Sequence, residues 1–166
     1  MEDFSVQDTA AIGSDERTVR QAFLQAIPIF AGTSPAAIAE IAGAAQEAAF
    51  QKGDIIVREG QPGDRMFIIV SGSVEVVKHL AERRETVLAV LRRSDFLGEM
   101  SIIDCVARSA SVRAVEDTSL IALRGIDLYH PFQHHPEQYA IVILNIARDI
   151  SRRLRAIDEK FAAISH

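Results

Sequence analysis

The sequence predicts a mainly β domain with flanking α: an antiparallel β-roll (jelly roll), preceded by N-terminal helices and followed by a long C-terminal helix. Two observations carry that reading. Short strand-like runs separated by glycine-bearing turns fill the middle of the chain, from Ile55 to Leu123. Apolar residues recur at helical spacing before Phe50 and again after Pro136.

Residues 1–17 are polar and acidic, with Gly13 and Ser14, and are expected to form a mobile tail. From Thr18 the positions Val19, Ala22, Phe23, Ala26 and Ile27 fall three and four apart, one face of a helix that Pro28 ends or bends. Ser34-Pro35 is a second start signal, with Ser34 as N-cap and Pro35 at the first helical position; Ile38, Ile41, Ala42 and Ala45 form the buried stripe. After Phe50 the period becomes alternating. Gln51-Lys52-Gly53-Asp54 is a turn, Ile55–Val57 a strand, and Glu59-Gly60-Gln61-Pro62-Gly63-Asp64 a longer turn whose glycines are expected to take positive φ. Met66–Val70 is a continuous apolar strand, Ser71-Gly72 a hairpin signal, and Ser73–Lys78 a strand with Val74 and Val76 inward. Glu82-Arg83-Arg84-Glu85 marks a reversal before Thr86–Leu91, and Ser109–Val115 and Thr118–Leu123 complete the strands.

Composition narrows the function classes. A formal charge of −5 argues against nucleic-acid binding, which needs a basic face to neutralise phosphates. No apolar run reaches membrane-spanning length and Met1-Glu2-Asp3 is acidic, so a cytoplasmic address without membrane partners is expected. The single cysteine, Cys105, excludes an internal disulfide framework. His79, His130, His134, His135 and His166 lie at no metal-ligand spacing, and neither Ser109 nor Ser111 has a base nearby in sequence. No catalytic or metal site is therefore expected, and the chain reads as a non-enzyme.

The chemistry concentrates in residues 96–112. Gly98 lets backbone approach a ligand closely, and a short helical turn over residues 99–103 would turn its unpaired amides toward an anion. Arg108 can fork onto two phosphate oxygens, with the Ser109 hydroxyl and the backbone around Ala110 adding neutral donors. Glu99, which when ionised only accepts hydrogen bonds, suits a ribose hydroxyl. Gly98-Glu99 and Arg108-Ser109-Ala110-Ser111-Val112 resemble the phosphate-binding cassette of the cyclic nucleotide-binding domain family, which includes bacterial cyclic-AMP receptors, kinase regulatory subunits and gated channels. The resemblance, which extends over roughly residues 23–164, implies that Glu99 takes the ribose 2′-hydroxyl, that Arg108 and Ser109 take the cyclic phosphate, and that amides from Gly98 through Met100 to Ser101 complete the cradle. Cys105-Val106-Ala107 departs from the glycine and proline that many members place before the arginine, which removes no ligand group. Leu88, Ala89 and Met100 are candidates to line the base and sugar pocket.

Pro136 opens a helix running to about Ala163. Its heptad a positions are Ala140, Ala147, Leu154 and Phe161 and its d positions Ile143, Ile150, Ile157 and Ile164, a seam suited to a parallel homodimer through residues 136–164. Tyr139, Val142 and Ile146 form a second strip expected to pack on the roll. Asp158 could accept from an adenine amino group, while Ile157 stands where the resemblance implies a hydroxyl. Arg148, Arg152, Arg153 and Arg155 read as a solvated face. The expected organisation is thus a tail over 1–17, a nucleotide-binding roll with its N-terminal helices over 18–135, and a dimerisation or lid helix over 136–166. The expected function is a cyclic nucleotide sensor, cyclic AMP ahead of cyclic GMP, acting on an effector protein through its last helix. The alternative is a dimerisation or interaction module that no longer answers to nucleotide.

Overall fold

Two four-stranded antiparallel sheets form the roll in the computed structural model, which describes residues 14–164. The strands are β1 (Gln46–Phe50), β2 (Ile55–Val57), β3 (Arg65–Ser71), β4 (Ser73–Lys78), β5 (Thr86–Arg92), β6 (Phe96–Leu97), β7 (Ser111–Ala114) and β8 (Thr118–Arg124). One sheet has the order β1-β8-β3-β6 and the other β2-β7-β4-β5. Phe67, Ile69, Leu97, Leu120 and Ala122 of the first meet Ile56, Val57, Val74, Leu91, Val112 and Ala114 of the second in one apolar core. Burying each larger side chain there contributes about 1.5–3 kcal/mol. Met66, Ile68, Ile121 and Leu123 on the other face of β3 and β8 are buried too, which is why Met66–Val70 reads as a continuous apolar run rather than an alternating one.

Turn chemistry fixes the register. Gly72 joins β3 to β4 at φ +83°, and a Cβ there would stand 2.5 Å from the Asp117 carbonyl oxygen, so both conformation and space require glycine. A register shift between Val76 and Val77 opposite β5 buries Val77 completely while Val76 stays half-buried. Two strands escape the sequence reading. β1 is built of Gln46-Glu47-Ala48-Ala49-Phe50, mostly helix formers, and is a strand because β8 pairs with all five residues; β6 is two residues long.

The described chain divides into two compact units, Ala44–Leu128 and residues 14–43 with 129–164. The N-terminal helices thus group with the C-terminal helix, where the sequence reading put them with the roll. The second unit holds α1 (Ser14–Gln25), a 3-10 turn at Pro28–Phe30, all but the last residue of α2 (Pro35–Ala44), a 3-10 turn at His130–Phe132 and α5 (Pro136–Ile164); α3 (Glu99–Asp104) and all but the last residue of α4 (Gly125–Tyr129) belong to the first. Of the tail expected over residues 1–17, residues 14–17 are instead the start of α1, and residues 1–13 lie outside the described residues. The buried face of α1 also differs from the expected one. Ile27, just past the helix, is buried as expected, but Val19 is 70% exposed and Ala22 is exposed, whereas Arg20 and Leu24 are buried. An apolar-only pattern misses this face because Arg20 packs its stem inward and donates from Nη1 to the Ala42 carbonyl at 3.0 Å.

Ser34 caps α2 as expected, accepting from the Ala37 amide at 3.3 Å, and the Ile38–Ile41–Ala42 stripe is buried. In α5, Val142 and Ile146 are buried within the helical unit, and the Tyr139 ring meets Tyr129 edge-on at 5.2 Å. The seam residues behave differently: Ala140, Ala147, Leu154, Ile157 and Phe161 are exposed and Ile143 and Ile150 partly so, while the Ile164 side chain lies outside the described residues. Among the described residues no helix is long and apolar enough to cross a membrane.

Candidate functional site

The pairing of β3 with β6 delivers the site. Phe67 opposes Leu97, so the chain leaves β6 at Gly98 beside the start of β3. Gly98 then turns at φ +82° into α3, which has no side-chain cap at its first turn. A Cβ on Gly98 would stand 2.5 Å from Arg108 Nη1 and 2.9 Å from the Arg65 carbonyl oxygen, so glycine is required by space as well as by φ. Glu99 follows at once and is 6% exposed. A second connection fixes the far end of the cassette: the Arg108 amide donates to the Gln61 carbonyl and the Gly60 amide to the Arg108 carbonyl, both at 2.8 Å, and the Glu59 amide donates to Ser111 Oγ at 3.0 Å.

Arg108 is the centre of this arrangement, with 7% exposure. Its Nη2 donates to the Arg65 carbonyl at 2.8 Å and its Nη1 to the Gly98 carbonyl at 3.3 Å, while its Cζ stands 5.9 Å from the Phe67 ring centre. Burial lowers the guanidinium's pKa from its ordinary value; the charge of Asp64 opposes that, and Glu99 opposes it less. An arginine remains a cation regardless. A guanidinium carries five N–H donors, and only these two find protein acceptors among the described residues. The result is a desolvated cation, held in place by neutral carbonyls, with donors to spare and a buried carboxylate one residue from Gly98. Such a group is suited to an oxyanion that accepts from two of its N–H donors at once.

The predicted residues divide accordingly. Gly98, Glu99 and Arg108 come together; Ser101 and Ala110 are buried beside them in the cassette, and Ser109 is exposed at its rim. Leu88 and Ala89 lie on β5, both exposed, with Ala89 paired to the half-buried Val76. The inner face of the second sheet, buried at Leu91 and Val74, is therefore open one pair further along. Met100 is exposed on α3. Asp158 is an exposed residue of α5, in the other unit.

Sequence reasoning missed Gly63 and Phe67. Gly63 is not among the positive-φ glycines, unlike Gly60, so its expected role as a φ donor is corrected: a Cβ there would lie 2.4 Å from Arg108 Nε, and glycine makes room for the guanidinium. A cleft of about 780 Å³ touches the cassette through Ser101, Ile102 and Cys105–Ala107, yet neither Glu99 nor Arg108 lines it. Volume does not mark this site; the buried cation does.

The profile of the cyclic nucleotide-binding domain family matches residues 47–135. A CRP-like cAMP-activated global transcriptional regulator of Mycobacterium tuberculosis is 31% identical over 81% of this chain and 58% of its own length. The solved Catabolite Activator Protein of Thermus thermophilus is 33% identical, with a TM-score of 0.68 over 83% of this chain and 63% of that one. A cyclic nucleotide-binding domain from Methylobacillus flagellatus has the same fold at 23% identity, with a TM-score of 0.76 over 90% of this chain and 84% of that one. The chain thus spans about three fifths of the regulator it matches.

Proposed function

We propose that this chain, which belongs to the cyclic nucleotide-binding domain family, is a sensor that binds a 3′,5′-cyclic nucleotide at the cassette, cyclic AMP ahead of cyclic GMP. The observation that carries the proposal is the buried Arg108 guanidinium, held by the carbonyls of Arg65 and Gly98 with N–H donors left over. A cyclic phosphate has one negative charge and acceptor oxygens for those donors, and the first-turn amides of α3 and the Ser109 hydroxyl extend the same set. Glu99 accepts from the ribose 2′-hydroxyl. Leu88, Ala89 and Met100 supply apolar surface for sugar and base.

Cyclic AMP is put first because the curated regulator at 31% identity is a cAMP-activated protein. Adenine recognition by Asp158 rests on side-chain chemistry alone. Output is assigned to α5: nucleotide binding shifts the population of α5 positions, and the exposed Leu154, Ile157 and Phe161 seam presents that change to a second copy or an effector.

Calorimetric titration with cyclic AMP and cyclic GMP tests the reading. The expected outcome is saturable heat, tighter with cyclic AMP, weakened at least tenfold in Arg108→Ala, as loss of charge-assisted bonds of about 1.5–3 kcal/mol requires. No heat from folded protein with either nucleotide would defeat the sensor reading and leave the exposed seam of α5 as the functional part.

A further inference from the structure

The helical unit holds a second constellation that nucleotide binding leaves unused. A groove of about 450 Å³ is lined by Pro28 and Ile29 on one side and by Asn145, Arg148, Ser151, Arg152 and Arg155 of α5 on the other. Arg148, Arg152 and Arg155 fall on one face of the helix, and seven residues separate the outer two, about 10 Å along the axis.

Two of these guanidiniums are oriented by the protein. The Asn145 amide nitrogen donates to the carbonyls of Ile29 at 3.1 Å and Ala31 at 3.0 Å, which fixes the amide and turns its Oδ1 to accept from Arg148 Nη1 at 3.1 Å. Arg152 Nη2 donates to Asp149 at 2.7 Å. Ion pairing is incomplete, however. Asp149 also takes Arg153 at 2.6 Å, so one carboxylate serves two guanidiniums; Arg148 bonds to a neutral amide, and Arg155 makes no ion pair with a described residue. Arg148 and Arg152, four residues apart, repel each other, a local cost that an anion in the groove would reverse. In a chain of net charge −5, three cations gathered beside the exposed Pro28 are a local exception.

We propose that this groove docks an acidic peptide segment of a partner protein, with carboxylates on Arg148, Arg152 and Arg155 and an apolar side chain against the exposed Pro28 ring. The elongated row of cations fits charges repeated along a chain better than one compact anion. The exposed Pro28 ring beside the row gives a peptide's apolar side chain a contact that a sugar-phosphate backbone has no group to fill, which favours a protein segment.

The test is fluorescence anisotropy with a labelled peptide of alternating Glu and Leu about a dozen residues long, since about four extended residues span the row. The expected result is saturable binding that falls steeply with salt, weakens at least tenfold in Arg148→Gln/Arg155→Gln, and persists in Arg148→Lys/Arg155→Lys, with unchanged helicity in both variants. Cyclic nucleotide affinity of the Gln variant should stay at the natural value, which separates the groove from the cassette. Equal binding of the matching Gln-Leu peptide, no response to the Gln variant, no binding at all, or tighter binding to phosphatidylserine vesicles or a single-stranded oligonucleotide would each overturn the proposal.

Discussion

Gly63→Ala would place a methyl group 2.4 Å from Arg108 Nε, 2.5 Å from Cζ and 2.9 Å from Cδ. Ordinary contact needs about 3.5 Å, so the guanidinium must retreat by about 1 Å. A shift of that size stretches the 2.8 Å bond to the Arg65 carbonyl beyond hydrogen-bond range, and the 3.3 Å bond to Gly98 has no slack to compensate. Losing one charged-donor bond costs about 1.5–3 kcal/mol, and removing a glycine returns about 0.4–1 kcal/mol through the unfolded chain. The net expectation is destabilisation of about 1–2 kcal/mol, with nucleotide affinity down at least tenfold. Urea denaturation measures the first at constant slope, and calorimetry the second. Gly53→Ala is the control: Gly53 has φ +93° and no atom within 4 Å of its would-be Cβ, so it costs about 1–2 kcal/mol of backbone strain while leaving affinity unchanged. A Gly63→Ala protein within about 0.5 kcal/mol of the natural stability, the ordinary range for a surface substitution, and of natural affinity would refute the idea that glycine there houses the arginine.

Glu99→Gln should weaken cyclic AMP binding about tenfold, yet barely change binding of the 2′-deoxy analogue, which the natural chain should bind poorly; equal losses for both ligands would remove Glu99 from the ribose. The Arg124 side chain, hydrogen-bonded to Asp127 at 2.7 and 2.8 Å, holds the Asp127 carboxyl below its ordinary range. That pair therefore adds stability above the unfolded carboxyl pKa of about 3.9, lost as pH falls through the lower folded value, and Asp127→Asn should flatten urea midpoints measured across that acid range. Leu154→Glu, placed in the exposed seam of α5, should turn a dimer into a monomer in analytical ultracentrifugation without lowering the melting temperature of the monomer.

How far the sequence speaks depends on whether the deciding neighbour is local. Glycine turns and strand spacing announce six of the eight strands because each is specified by its own residues. β1 is not announced, since Gln46–Phe50 prefers helix and only β8, far along the chain, makes it a strand. Helix α1 misleads for a similar reason: Arg20 counts as polar in any periodicity, yet the Ala42 carbonyl lets it lie inside. In the cassette, Gly98, Glu99 and Arg108 are legible because they share one connection. The residues that hold Arg108 in place, Gly63, Arg65 and Phe67, precede it by more than forty positions and reach it through the β3 and β6 pairing.

That hold also bears on where a response to nucleotide can begin. A ligand shifts a conformational equilibrium only through contacts that differ between its states. Arg108 is already fixed at both ends, its side chain by two carbonyls and its amide by Gln61 at 2.8 Å, so it has little left to gain. The end of α3 is the opposite case. Ile103 and Val106 are exposed, and Cys105 closes the helix in the left-handed region at φ +55°, an unfavourable conformation for a residue with a Cβ. Segment 103–107 is thus the part of the cassette with both unfavourable backbone and unburied apolar surface, and a ligand bound as proposed at Gly98–Ser101 would pull on it directly. Hydrogen exchange followed with and without cyclic AMP should show new protection at residues 99–107 and little change at the Arg108 amide. The reverse pattern, with Arg108 gaining most, would mean that the arginine is loose until the phosphate arrives and that the carbonyl bonds are too weak to hold it.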